Sequence, residues 1–131
     1  MRASVRRQVR IARPAEEVWA LVGDPRRIAE WFPGIESATV EGASRTIVTS
    51  AGLSMPEVIV TNDPLQRRFQ YRLQTPVIRE HLSTLDVFDL GHGTSLFAYA
   101  AGADPATMAL VIAGAAGAAL EHLRALLEGA A

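Results

Sequence analysis

The sequence has 131 residues, a formal net charge of −1, 49% hydrophobic residues and 21% charged residues. This length favours one domain, and we expect a single domain over residues 1–131. Because the chain contains no cysteine, disulfide frameworks, thiolate nucleophiles and cysteine-ligated metal sites are excluded. The near-neutral charge argues against a nucleic-acid partner, which usually requires a basic face on the protein.

Targeting and cofactor signals are missing from the sequence. The N-terminal residues Met1-Arg2-Ala3 are not followed by the apolar segment of a signal peptide. The uncharged stretch 105–120 is shorter than the ~20 strongly apolar residues of a membrane-spanning helix. We therefore expect a cytoplasmic protein without membrane insertion. The histidines lack metal-ligand spacing, and we expect no metal and no cofactor. The basic residues are all arginine, which suggests a GC-rich bacterial source.

The first part of the sequence predicts a strand followed by two short helices. Residues 4–11 alternate loosely between polar and apolar side chains, which is typical of a strand. Pro14, followed by two glutamates, favours the start of a helix that Gly23 ends. Asp24-Pro25 then begins a second short helix, which ends at Pro33-Gly34.

The remainder of the sequence predicts six strands and one long helix. The strand ranges, separated by turn residues, are 36–42, 44–51, 55–62, 66–74, 77–89 and 94–101. Since no helix lies between them, these strands are expected to pair antiparallel with their sequence neighbours. Asp104-Pro105 is predicted to cap a helix that extends to about residue 128.

Together these elements predict an α+β fold. A curved seven-stranded antiparallel sheet is expected to wrap around the long C-terminal helix, with the two short helices after the first strand. The middle of the long helix is expected to turn the small side chains of Ala115, Ala116 and Ala119 toward the sheet. Because a strongly curved sheet cannot touch the helix along its whole length, we expect a hollow between them.

Strand alternation predicts which side chains face this interior, if the apolar residues of each strand point inward. Most of the inward set is apolar, and a few polar side chains interrupt it. The residues predicted to line a ligand site are Trp31, Arg45, Glu57, Ile59, Phe69, Tyr71, Arg79, His81, Ser83, Ala98, Ile112, Ala115 and Ala119.

The polar members of this set are candidates for chemistry. A buried carboxylate is costly unless it is paired or protonated, so Glu57 requires a partner, and Arg45 and Arg79 are available. Glu57, His81 and Tyr71 are the candidate catalytic residues, because a histidine titrates near neutral pH and a tyrosine can donate to a carbonyl. The alternative is a purely structural ion pair at Glu57 and a hydrogen-bonded strand histidine at position 81.

The same alternation places a second apolar set on the outer side of the sheet. Its members are Val58, Val60, Leu82, Phe88, Phe97 and Tyr99. An apolar patch of that extent seldom stays bare on a soluble protein. We therefore expect a second copy, the chain's own tail or another partner to cover it, and a homodimer through this convex face is one prediction.

Several segments resemble one known family. They are Ile11-Ala12-Arg13-Pro14-Ala15-Glu16-Glu17-Val18-Trp19, Trp31-Phe32-Pro33, Glu57-Val58-Ile59-Val60-Thr61-Asn62-Asp63-Pro64, Arg67-Arg68-Phe69-Gln70-Tyr71-Arg72 and, before the turn Gly91-His92-Gly93-Thr94, His81-Leu82-Ser83-Thr84-Leu85-Asp86-Val87. In this order and spacing, nearly the whole chain resembles the SRPBCC superfamily, with its START-like or helix-grip fold. Within it, the chain is most similar to the polyketide cyclase/dehydrase-like branch.

The resemblance implies a cavity between the sheet and the C-terminal helix that takes up hydrophobic small molecules. We therefore predict binding of a lipid, acyl or aromatic polyketide-type molecule. One alternative is a polyketide aromatase/cyclase or dehydratase that uses the polar cavity residues, and another is a protein-interaction or toxin-like member. The sequence departs from the family pattern at Ala98, where many relatives carry Trp, and in its Ala/Gly-rich last helix.

Overall fold

The computed structural model of the protein describes residues 1–129. The elements in chain order are β1 (Ala3–Ile11), α1 (Ala15–Val22), a 3₁₀ turn (Pro25–Arg27), α2 (Ile28–Trp31), β2 (Ile35–Glu41), β3 (Ser44–Thr49), β4 (Ser54–Asp63), β5 (Arg68–Leu73), β6 (Glu80–Gly91), β7 (Thr94–Asp104) and α3 (Ala106–Glu128). The strands form one antiparallel sheet in the order β1-β7-β6-β5-β4-β3-β2. The predicted α+β class, the seven-stranded sheet, the short helices and the long C-terminal helix are confirmed.

Helix α3 packs on the part of the sheet that β1 and β7 form. Its buried residues are Ala109, Ala113, Ala116, Ala119, Leu120 and Leu123. The buried face of α3 is rotated about the helix axis relative to the predicted one. Ala115 is exposed and Ile112 is only half-buried, whereas Ala119 is buried as expected. The Ala/Gly-rich sequence has little contrast in hydrophobicity around the helix, so its pattern defines the buried face poorly.

By length and composition alone, α3 is apolar enough to cross a membrane, with a mean hydropathy of 1.5. In this structure it is the core helix of the fold, and Ala109, Ala113 and Ala116 are at most 1% exposed. The expected absence of membrane insertion therefore stays a prediction.

Aromatic side chains fill the interior between α2 and β7. Trp31, Phe97 and Tyr99 are at most 1% exposed, and the ring centroids of Trp31 and Phe97 lie 5.7 Å apart in an edge-to-face arrangement. This is a favoured geometry for aromatic pairs. The hollow expected between sheet and helix is therefore occupied by side chains at this level.

Strand β7 presents the face opposite to the predicted one. Phe97 and Tyr99 point into the core, and Ala98 lies on the outer face of the sheet. The prediction was wrong because residues 96–103 contain no charged side chain that would mark the solvent side. The outer apolar patch is smaller as a result. Its remaining exposed members are Val58, Val60 and Phe88.

The observed face of α3 can be tested with two matched substitutions. Ala116→Leu places extra methyl groups where the helix meets the sheet, and we expect a loss of about 1–3 kcal/mol of unfolding free energy. Ala115→Leu changes the exposed neighbour, and we expect a change within about 0.5 kcal/mol. Urea denaturation measures both. Equal losses would contradict the observed orientation of the helix.

Candidate functional site

A buried ion pair lies on the inner face of the sheet. Arg45 of β3 and Glu57 of β4 are directly opposite each other in the ladder, and they are 2% and 3% exposed. The Arg45 Nε donates to Glu57 Oε1 at 2.6 Å, and the Arg45 Nη1 donates to the Pro25 carbonyl oxygen at 3.2 Å. The arginine thus connects the sheet to the 3₁₀ turn between the short helices.

The third nitrogen of this guanidinium has an unmet hydrogen-bonding capacity. The Arg45 Cζ lies 5.2 Å from the ring centroid of Phe69 and 5.1 Å from that of Tyr71, a cation–π distance. Within residues 1–129, the buried Arg45 Nη2 and the buried Trp31 Nε1 have no hydrogen-bond partner. Since a buried donor without an acceptor costs about 1–3 kcal/mol, an oxygen supplied by a ligand would stabilise this part of the interior.

The carboxyl group of the pair is perturbed by its surroundings. Burial raises the pKa of Glu57, and the charge and hydrogen bond of Arg45 oppose this effect without cancelling it. A raised pKa makes the Glu57 carboxylate a stronger base than an exposed glutamate. The pair therefore combines a proton acceptor with a fixed positive charge, which is what proton abstraction next to a carbonyl requires.

A chain of polar side chains continues from this pair toward β6. His81 Nδ1 accepts a hydrogen bond from the Leu73 backbone nitrogen at 2.8 Å, and its Nε2 is 2.8 Å from the Ser83 Oγ. These bonds assign the neutral tautomer that carries its proton on Nε2. Ser83 is opposite Tyr71 in the ladder, and the Tyr71 hydroxyl is hydrogen-bonded to that of Tyr99. Burial raises the pKa of both tyrosines, so each keeps its hydroxyl proton.

A cleft opens at the end of the sheet beside this cluster. It has a volume of about 370 Å³ and is lined by residues 53–56 and 73–76. We call it the mouth cleft. Its inner walls are Met55 and Leu73, which pack against the hydrophobic core. Leu73 is directly opposite Glu57 in the β4–β5 ladder, so one wall of the mouth cleft is a cross-strand neighbour of the buried ion pair.

The predicted site residues fall into two groups. Arg45, Glu57, Phe69, Tyr71, His81 and Ser83 are all buried on the inner face and form one cluster. Trp31 is buried beside the aromatic core, and Ile59 is half-buried against the same core. Of the helix residues, Ile112 packs against a smaller apolar cluster near Leu73, and Ala119 belongs to the main core.

Three predicted residues lie outside this cluster. Ala98 and Ala115 point away from the interior, as described above. Arg79 precedes β6 instead of belonging to it, and its Nη2 pairs with the Asp104 carboxylate at 2.9 Å on the surface. The prediction for Arg79 was wrong because the strand begins later than residue 77, and the preceding residues form a loop. Because Asp104 pairs with Arg79, its side chain does not form the predicted cap at the N-terminus of α3.

Sequence reasoning missed three residues of the site. Tyr99 was assigned to the outer face because the alternation in β7 is ambiguous. Met55 and Leu73 are not among the predicted site residues, although both line the mouth cleft. The pairing of Leu73 with Glu57 depends on strand register, and that register was the missing information.

The sheet, the short helices and the long C-terminal helix together form the helix-grip fold that the resemblance to the SRPBCC superfamily implied. A family model described as "Polyketide cyclase / dehydrase and lipid transport" matches residues 2–128. The chain therefore belongs to that polyketide cyclase/dehydrase and lipid transport family. No curated protein matches the chain.

Solved structures with the same fold are similar to this chain at low sequence identity. XoxI from Bacillus cereus is 22% identical, with a TM-score of 0.87 and coverage of 93% of both chains. A START superfamily protein from Mycobacterium smegmatis is 21% identical, with a TM-score of 0.71 and coverage of 96% of this chain and 94% of that one. The di-domain ARO/CYC protein BexL, from the BE-7585A biosynthetic pathway, is 20% identical, with a TM-score of 0.83 and coverage of 96% of this chain and 46% of BexL.

The buried histidine predicts a pH dependence of stability. Burial, and secondarily the charge of Arg72, lower the pKa of His81 to about 4, whereas an unfolded histidine titrates near 6.5. As the pH falls, the unfolded chain therefore binds this proton before the folded protein does. The free energy of unfolding decreases by about 3 kcal/mol from pH 7 to pH 4 because of His81. His81→Asn retains an acceptor near the Leu73 amide and does not titrate. Urea denaturation should show this variant losing about 3 kcal/mol less over that range, and parallel pH profiles would contradict the assignment.

Proposed function

We propose that the protein binds a small apolar molecule that carries an oxygen acceptor, with the apolar part in the mouth cleft and the oxygen at the Arg45 Nη2. The observation that carries this proposal is a buried guanidinium nitrogen without a partner, in an ion pair whose cross-strand neighbour Leu73 lines an apolar cleft. Apolar walls with a few convergent polar groups are typical of small-molecule sites. Acyl, lipid and aromatic polyketide-type molecules fall within this class.

The family membership supports the same proposal. Its description joins polyketide cyclases and dehydrases to lipid transport, and a lipid is a molecule with a large apolar part. The volume of about 370 Å³ lies within the range of roughly 300–1,000 Å³ that small-molecule sites occupy. The half-buried Met55 and Leu73 offer the apolar surface at the opening.

Two matched probes test the role of the oxygen acceptor. 2-Acetonaphthone carries one ketone oxygen, and naphthalene has the same rings without it. Because a hydrogen bond from a charged donor contributes about 1.5–3 kcal/mol, we expect the ketone to bind roughly 10- to 100-fold more tightly. Isothermal titration calorimetry measures both affinities. Equal affinities would contradict the role of Arg45, and no heat with either probe would contradict the proposed function.

Substitutions locate the binding site. Met55→Trp fills the mouth cleft, and we expect it to abolish binding of 2-acetonaphthone. Val60→Trp adds the same side chain on the outer face, where Val60 is already exposed, and should leave the affinity unchanged. Circular dichroism melting confirms that both variants fold. Retained binding in Met55→Trp would place the ligand elsewhere.

A second candidate function is proton transfer at carbon, as in a cyclase or dehydratase. The raised pKa of Glu57 favours it, because the carboxylate can remove a proton from the carbon next to a ketone. The C–H electron pair then moves to the ketone oxygen, and the resulting enolate is stabilised by the Arg45 guanidinium. Exchange of the abstracted proton on Glu57 with solvent, followed by return of a proton or deuteron from Glu57 to the carbon, completes an isotope exchange without net reaction.

This candidate predicts deuterium exchange. In D2O, the acetyl methyl protons of 2-acetonaphthone should exchange faster with the protein than in buffer, as followed by proton NMR. Glu57→Gln keeps a polar side chain but cannot accept the proton, so the exchange should fall to the buffer rate. Naphthalene-competitive inhibition of the exchange would place it in the mouth cleft. Undiminished exchange in Glu57→Gln would reject the catalytic role and leave the binding function standing.

A further inference from the structure

A second cleft lies on the outer side of the sheet, where β5 and β6 separate. The β5–β6 ladder ends at the pair Tyr71–Ser83, while β6 continues alongside β7 as far as Glu80. The His81 ring occupies the gap and accepts the hydrogen bond that Leu73 would otherwise donate to a neighbouring strand. The separation opens a space of about 780 Å³, which we call the outer cleft.

The outer cleft is deep because its floor is made of small residues. Ala100 and Gly102 of β7 form the floor, with Ser4 of β1 on one side and Leu82 of β6 on the other. A Cβ placed on Gly102 would meet its nearest neighbour, the Leu82 carbonyl oxygen, at 3.7 Å, an ordinary contact distance. Backbone packing therefore does not require glycine here, and a side chain at this position would project into the cleft.

The charges around the outer cleft are predominantly positive. Three arginines and one glutamate line it, in a protein whose formal net charge is −1. Arg2 pairs with Glu80 at 2.5 Å, and Arg79 pairs with Asp104 at 2.9 Å. Arg72 has no ion pair and no side-chain hydrogen bond with any residue of the described range 1–129. After burial, its positive charge is the second cause of the lowered pKa of His81, which also lines the cleft.

We propose that the outer cleft binds a small organic anion, with a carboxylate or phosphate group at Arg72 and an apolar part against Ile78 and Leu82. A guanidinium donates two parallel hydrogen bonds to either oxyanion, and the hydroxyl groups of Thr75 and Thr84, which line the same cleft, are further donors. This site is separate from the mouth cleft, because residues 73–75 form the wall between them. It does not depend on the function proposed above.

NMR titration of the full chain tests this site with three probes of equal tail length. Hexanoate and hexyl phosphate carry the two oxyanions, and hexanol is the neutral control. At constant ionic strength, we expect the backbone amide signals of Gly102 and Thr84 to shift saturably with the anions and not with hexanol. The tighter of the two anions identifies the preferred group. A hexanol response as strong as that of the anions would overturn the proposal.

Substitutions assign the binding to the residues of the cleft. Arg72→Gln should weaken anion binding at least tenfold, since a charged hydrogen bond contributes about 1.5–3 kcal/mol. Gly102→Val should abolish it by filling the floor. The controls Arg10→Gln and Ala98→Val lie on the outer face beyond the lining and should leave the affinity unchanged. Unaltered affinity in Arg72→Gln overturns the proposal even if Gly102→Val does not fold. Unaltered anion binding in Met55→Trp would keep this site distinct from the mouth cleft.

Discussion

The pairing of Arg45 with Glu57 is the constraint on which the candidate site depends. Both side chains occupy the inner face at one register position of β3 and β4, so a slip of one residue in either strand would turn one charge to solvent. The arginine also reaches the Pro25 carbonyl and stacks on Phe69 and Tyr71. One guanidinium thus connects the 3₁₀ turn between the short helices, the strands β3 and β4, and the aromatic core.

The second determinant is the separation of β5 from β6. A histidine ring completes the hydrogen bond of Leu73 in place of a backbone carbonyl, so the ladder ends without leaving that amide unpaired. The use of a histidine ring in place of a backbone carbonyl has consequences on both faces of the sheet. Inside, it aligns His81, Ser83 and Tyr71 as a continuous polar chain. Outside, it widens the spacing of the strands and opens the outer cleft.

The sequence predicted the architecture well because turn residues and charged positions marked most element ends. It predicted the buried cluster around Arg45 and Glu57 because β3 and β4 alternate clearly. It failed at β7 and α3, where Ala and Gly dominate and both faces look alike. It also failed at Arg79, because this residue lies in the loop that directly precedes β6 and pattern alone does not locate that boundary. The clefts depend on strand separation, and a single sequence carries no direct signal for it.

The energetics of the ion pair give the proposed binding role a physical reason. Removing two charges from water is costly, and well-packed apolar residues in the place of a buried pair are often neutral or stabilising. An interior built only for stability would gain little from Arg45 and Glu57, particularly with one guanidinium nitrogen left without an acceptor. The fold itself does not choose between carriers and enzymes, since helix-grip proteins share the scaffold and differ in the groups placed inside it. In this chain, those groups are a fixed cation, a carboxyl with a raised pKa and a hydroxyl chain beside an apolar opening, which suit a ligand with a polar oxygen better than a purely hydrocarbon one.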